Sequence, residues 1–142
     1  MVTLASAAYK TLLKVGDGAT PEVFATIAEV LDIGGPAMEL NMVDATSRDS
    51  TDGWREKIGT LLDGGEVEFE IQFSPTAATH SYVSGLVKLM VDRTLRNFKL
   101  VFPDATEWLF PAIVSNFEPD NPLEEKMTAS VTLAVSGKPT LA

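Results

Sequence analysis

Glu66-Val67-Glu68-Phe69-Glu70-Ile71-Gln72-Phe73 alternates without a fault, with Val67, Phe69, Ile71 and Phe73 on one side and three glutamates and Gln72 on the other. A period of two belongs to a strand with one buried face; a helix would scatter those glutamates around its circumference. The same period returns near the C-terminus, where Met127, Ala129, Val131, Leu133 and Val135 alternate with polar or small residues. Residues 95–102 and 107–118 read as two further strands. Between them Pro103-Asp104-Ala105-Thr106 has hairpin chemistry, since proline presets φ and the aspartate bonds the turn backbone. Pro111 cannot donate to a ladder and predicts an edge or a bulge.

The first third is strand-like but less regular. Residues 9–15 and 23–33 flank Gly16-Asp17-Gly18-Ala19-Thr20-Pro21, a hairpin loop by composition. Gly34-Gly35-Pro36 breaks the chain before residues 37–44, where Met38, Leu40 and Met42 form one face and Glu39 and Asn41 the other. One helix is predicted over about 75–92, with Ser74 as N-cap and Pro75 at the first helical position. Its apolar stripe is Ala78, Tyr82, Val83, Leu86, Val87 and Met90, and it has to be buried on the sheet. The expected fold is mainly β: a β-sandwich or flattened barrel of about seven or eight strands with one packed amphipathic helix. Residues 45–64 stand apart as a long loop. Trp54, Ile58, Leu61 and Leu62 within it are large apolar groups seeking a partner surface, and loops of this length are commonly functional.

Composition narrows the chemistry. The 142 residues suit one domain, and 45% hydrophobic with 22% charged residues is ordinary for a globular chain. With no cysteine, a disulfide framework, a thiolate zinc site and a thiol nucleophile are excluded together. The single histidine, His80, lies on the polar side of the predicted helix, where a solvated or capping role is expected. Asp49-Ser-Thr-Asp52-Gly53 fails as a calcium loop, because Thr51, Gly53 and Thr60 stand where ligands are needed. Gly34-Gly35 precedes a proline and not a helix, so it is no phosphate cradle. No cofactor and no catalytic group is expected. The N-terminus lacks the basic and apolar regions of a signal peptide, and no stretch approaches the ~18 apolar residues of a membrane span, so no membrane anchor is expected.

Charge is the remaining feature. Twenty acids against eleven bases give −9 at pH 7, with no clustered Lys/Arg to grip nucleic acid or an anionic membrane. Residues 104–125 contain Asp104, Glu107, Glu118, Asp120, Glu124 and Glu125 without one base, and Glu66, Glu68 and Glu70 add a one-sided stripe. The stripe and the run read as a solvated face that keeps the protein soluble or as a surface that stays near polyanions without sticking to them; paired carboxylates for glycoside hydrolysis would be a third reading, but nothing suggests a sugar cleft with aromatic platforms.

Several stretches in order add a resemblance. They are Thr46-Ser-Arg-Asp-Ser50, Asp52-Gly-Trp-Arg-Glu-Lys-Ile58, Asp63-Gly-Gly-Glu-Val-Glu-Phe69, Phe73-Ser-Pro75, the run from Thr94 to Asp104, and the run from Ala129 to Leu141. Together they closely resemble the tail tube (major tail) proteins of long-tailed, non-contractile bacteriophages, relatives of contractile-tail and type VI secretion tube subunits. The resemblance covers the chain from about residue 9 onward. It implies a virion structural protein, assembled in the host cytoplasm into stacked hexameric rings that enclose a conduit for viral DNA. It implies contact with the neighbouring ring through the N-terminal arm, residues 1–8, and through the loop, residues 45–64, with Ser47, Arg48, Asp49, Trp54, Arg55, Glu56 and Ile58 as contact candidates. It further implies a tape measure protein, a tail terminator and tail-tip or initiator proteins as partners. A single domain without an additional C-terminal one is expected. Set beside that channel, Glu66, Glu68 and Glu70 become candidates for a lumen that passes DNA without holding it. The competing reading is a monomeric β-domain that binds a partner, such as a capsid decoration or adhesion module.

Overall fold

The computed structural model describes residues 10–141. The predicted N-terminal arm, residues 1–8, lies outside them. The described chain is mainly β, with ten strands: β1 (Leu12–Gly16), β2 (Phe24–Thr26), β3 (Val30–Gly34), β4 (Glu39–Asp44), β5 (Lys57–Asp63), β6 (Glu66–Gln72), β7 (Arg96–Val101), β8 (Glu107–Asp120), β9 (Thr128–Val135) and β10 (Thr140–Leu141). Eight form one antiparallel sheet in the order β2-β1-β7-β8-β9-β6-β3, with β10 added to β8, while β4 and β5 pair only with each other.

The sheet is rolled. Its two outermost strands, β2 and β3, are joined by only Ile27, Ala28 and Glu29, a link that spans at most about 14 Å. Both edges are thereby brought together without a ladder between them. The roll turns its corner in β8, whose first half pairs with β7 and second half with β9, across a register shift between Val114 and Asn116. A bulge is the usual device for bending a strand from one layer into the other. The alternation read from the sequence fills the interior: Val67, Phe69 and Ile71 meet Ala129, Val131 and Leu133 from β9 and Leu13, Phe98, Leu100 and Phe110 from the other layer.

Four expectations are corrected. The helix is short, α1 (Leu86–Val91), and its N-cap is Gly85 rather than Ser74. Before it the chain winds through turns, because Gly85 is extended and a Cβ there would overlap the backbone of His80 and Ser81. The stripe therefore divides, with Leu86 buried and Tyr82 and Val83 in water. His80 is not solvated but fully buried at the seam of the roll. Its Nδ1 accepts from the Ser74 N–H at 3.2 Å, which leaves Nε2 to carry the proton donated to the Ala28 carbonyl at 2.6 Å. Thr79 Oγ1 accepts from the Ala28 N–H, so these turns tie down the link between the two edges. Residues 23–33 are two strands and not one, bent at that link. Finally Pro111 is not at an edge: it lies inside β8 opposite Asn97, where the other neighbour changes from β9 to β10.

Candidate functional site

The region expected to be a loop over 45–64 is a loop only in its first part; its second part is one strand of a ribbon. Lys57–Asp63 is strand β5, paired with β4 through Leu40↔Leu62, Met42↔Gly59, Val43↔Ile58 and Asp44↔Lys57. Only residues 45–56 are irregular. The misreading has a physical cause: β4 shows its period of two, but in β5 Ile58, Leu61 and Leu62 fall on both faces of the ribbon and the alternation is lost. Every residue from 37 to 63 except Ser50 is exposed. Leu40, Met42, Val43, Trp54, Ile58, Leu61 and Leu62 thus stand exposed on an arm with no layer beneath it among the described residues.

Glycines orient the arm. Its two strands leave the body at Gly34-Gly35 and Gly64-Gly65, where Gly35 (φ 97°) and Gly65 (φ 69°) adopt left-handed conformations. A Cβ on Gly65 would overlap the Ala37 carbonyl, and one on Gly35 would overlap that of Glu66. The Ala37 N–H donates to the Glu66 carbonyl at 3.2 Å across the same crossing. The two strands therefore cross in backbone contact, a close approach that side chains would prevent. Both glycine pairs are visible in the sequence as chain breaks; what they flank as a pair is the arm.

The tip is a hydrogen-bonded cap. Asp44 Oδ1 accepts from the backbone and the hydroxyl of Thr46, and Asp44 Oδ2 pairs with Arg55 Nη1 at 2.9 Å. The Thr46 hydroxyl accepts from the Glu56 N–H at 2.8 Å. Ser50 Oγ accepts from the Ser47 N–H and donates to Glu56 Oε2, each at 3.0 Å, while Ser47 Oγ accepts from the Asp49 N–H at 3.3 Å. The hydroxyl and backbone bonds from Thr46, with Arg55 and Lys57 nearby, hold the Asp44 carboxyl below its ordinary range. Of the contact candidates, Ser47, Asp49, Arg55 and Glu56 are brought together in this cap. Arg48 has no ion pair or hydrogen bond among the described residues, and Ile58 lies exposed on the ribbon. Trp54 follows a single 3-10 turn, Thr51–Gly53, and is 75% exposed.

At the other end of the arm is a cleft of about 830 Å³ that sequence reasoning missed. Met38, Leu61 and Leu62 from the arm face Val135, Pro139 and Leu141 from the end of the chain, with Glu39, Asp63 and Lys138 also in its wall. No sequence signal marks it, because its two walls are about 75 residues apart in the chain.

The acidic stripe forms a second surface. Glu66, Glu68 and Glu70 lie outside the core, opposite Ala134, Thr132 and Ser130 on β9, and Ser130 in turn faces Glu118 on β8. No Lys or Arg lies in β3, β6, β9 or β8. Within this sheet the bases are in β1 and β7, as Lys14, Arg96 and Lys99, and Lys14 is paired opposite Lys99. Lys99 Nζ there lies 3.3 Å from Glu107 and 4.2 Å from the centre of the Phe24 ring. One side of the sheet is thus acidic and unneutralised, and the other basic and partly paired.

The family described as Lambda phage tail tube protein, TTP, matches residues 9–142. No curated protein sequence matches the chain. Among solved structures, the tail of an empty gene transfer agent particle, refined with C6 symmetry, superimposes with TM-score 0.78 at 20% identity, covering 97% of this chain and 99% of that one. The sheath/tube terminator structure of an extracellular contractile injection system gives 0.72 at 12% identity, covering 100% and 99%. The tail tube of SPP1 gives 0.64 at 15% identity, covering 90% and 73%. At these identities the likeness is one of fold.

Proposed function

The chain belongs to the lambda phage tail tube protein family and is a structural component of a virion tail, not an enzyme, and from that premise we propose that it forms hexameric rings stacked into the conduit for viral DNA. The observation that carries the reading is the arm. A two-stranded ribbon is marginal alone in water, and one with apolar groups on both faces is a hazard unless another chain covers it. Here the arm reaches the adjacent ring, with Trp54 and the capped tip as its contact. The gene transfer agent tail, refined with sixfold symmetry, supports the ring. A tape measure protein, a terminator and a tip or initiator complex are the partners such a tube requires.

The acidic side of the sheet, with Glu66, Glu68 and Glu70, faces the lumen in this reading. Phosphates meeting lysines release counterions and are held; phosphates meeting glutamates are repelled and keep moving. Electron microscopy of the concentrated chain, seeded with tube fragments, tests assembly: hollow tubes of stacked rings are expected. A chain that stays monomeric beside the seeds would favour a lone binding module. Replacing Glu66, Glu68 and Glu70 together by lysine tests the lumen, with intact tubes and slowed, salt-dependent DNA release expected. Release at the normal rate would place these glutamates elsewhere.

A further inference from the structure

We propose that Trp54 of one copy seats in the cleft at the arm root of a second copy in the adjacent ring. The proposal rests on the tube reading and names the receiving surface that reading leaves open. Trp54 cannot reach its own cleft. Between the tip and the root runs β5, and its extended residues hold Trp54 roughly 17 Å or more from Leu62. The most exposed aromatic group of the arm therefore needs a second chain.

The cleft fits such a group. At about 830 Å³ it lies within the ~300–1,000 Å³ range of sites that take drug-sized ligands, so it has room for an indole together with neighbouring residues of the tip. Its apolar walls are unusually wet, with Leu61 and Leu62 both more than three-quarters exposed. Charge complements shape. Arg48 at the tip has no partner among the described residues, and Glu39 and Asp63 stand at the cleft without an ion pair. Conversely, among the described residues Lys138 at the cleft has no ion pair, and neither do Asp49 and Asp52 at the tip. With knob and socket at opposite ends of one arm, the contact as proposed is heterologous and repeats from ring to ring; a reciprocal exchange between two antiparallel arms would stop at a dimer and give no ladder beyond it.

The absence of cysteine makes the test direct. Thr51→Cys, in the tip turn beside an intact Trp54, and Leu62→Cys are introduced together, both at exposed positions, and assembled tubes are treated with a mild oxidant or a short bis-maleimide. Within one chain the two thiols are too far apart for a disulfide, which needs Cα atoms within about 7 Å. The expected result is a ladder of covalent multimers, absent from either single variant, and a matching ladder when Leu141→Cys replaces Leu62→Cys. Intact tubes with no ladder from either pair would overturn the socket while leaving the tube reading in place. Failure of the unaltered chain to form tubes on seeds would overturn both.

Discussion

Replacing Trp54 by alanine separates assembly from folding, because the indole touches so little of its own chain. A tryptophan buries about 150–250 Å² when covered, and with three-quarters of it exposed in the subunit roughly 110–190 Å² is left for a partner. At ~25 cal/mol per Å² that area contributes about 3–5 kcal/mol per arm, and the truncation, which keeps Cβ, removes about 2–4 of it. Even the lower figure at a single arm shifts an association constant about thirtyfold. The subunit itself should change by no more than about 0.5 kcal/mol, the usual effect of an exposed substitution. Pelleting against concentration measures assembly. Denaturation followed through Trp108, which lies edge-on to Phe102 at 5.2 Å in the body, measures folding. Unchanged pelleting would show that Trp54 stays in water in the tube. A loss of body stability above about 1 kcal/mol would show that it supports its own domain.

Three further outcomes follow from the geometry. His80→Ala strands the Ser74 N–H and the Ala28 carbonyl at the seam and should cost about 2–4 kcal/mol in urea denaturation; a cost under about 1 would mean that water replaces the imidazole. Gly65→Ala forces a left-handed alanine onto the Ala37 carbonyl and should cost about 1–3 kcal/mol while loosening the arm, read as faster proteolytic cutting within residues 37–63. The Asp44 carboxyl is held below its ordinary range by Thr46, then Arg55, so its support of the tip is complete above pH ~4 and is lost as pH falls through the depressed value. Tip resonances should shift in that acid window by NMR, and Asp44→Asn should show the acid-form tip already at neutral pH; a tip indifferent to both would remove Asp44 from its architecture.

The body was legible because its strands obey one rule. Residues 66–73 and 127–135 alternate since one face meets the core and the other water, and both lie where the period places them. The arm obeys another rule. Its apolar residues lie on both faces of a ribbon with no layer of the described chain beneath it, so β5 carries no inward face and reads as loop. The helix was overextended for a local reason: three- and four-residue spacing continues through Tyr82 and Val83, but the extended Gly85 separates them from Leu86. His80 was misjudged because its partners, Ser74 and Ala28, are set by turns and a seam that no periodicity encodes. The cleft was invisible for the same kind of reason, being built from the arm root and the end of the chain. Of the contact candidates from Ser47 to Ile58, Trp54 and Ile58 stand out in the sequence as apolar groups in a polar stretch, while the others rest on resemblance, and hydroxyl-rich sequence explains only their mutual bonding.

The arm and the acidic stripe share a joint, and this constrains how both work. Asp63 ends β5, Glu66 begins β6, and between them lie only Gly64 and Gly65. The close crossing of Gly65 with Ala37 fixes the angle at which the arm leaves the strand carrying Glu66, Glu68 and Glu70. On the proposed reading, one surface is directed along the tube axis and the other towards its centre, so that angle sets their relation in every subunit. A swivelling arm would let successive rings seat at different rotations and would break the continuity of the acidic lining. The Gly65→Ala variant should therefore do more than weaken stacking. Tubes that still form should show irregular ring-to-ring rotation, a defect that truncating Trp54 at the tip leaves absent.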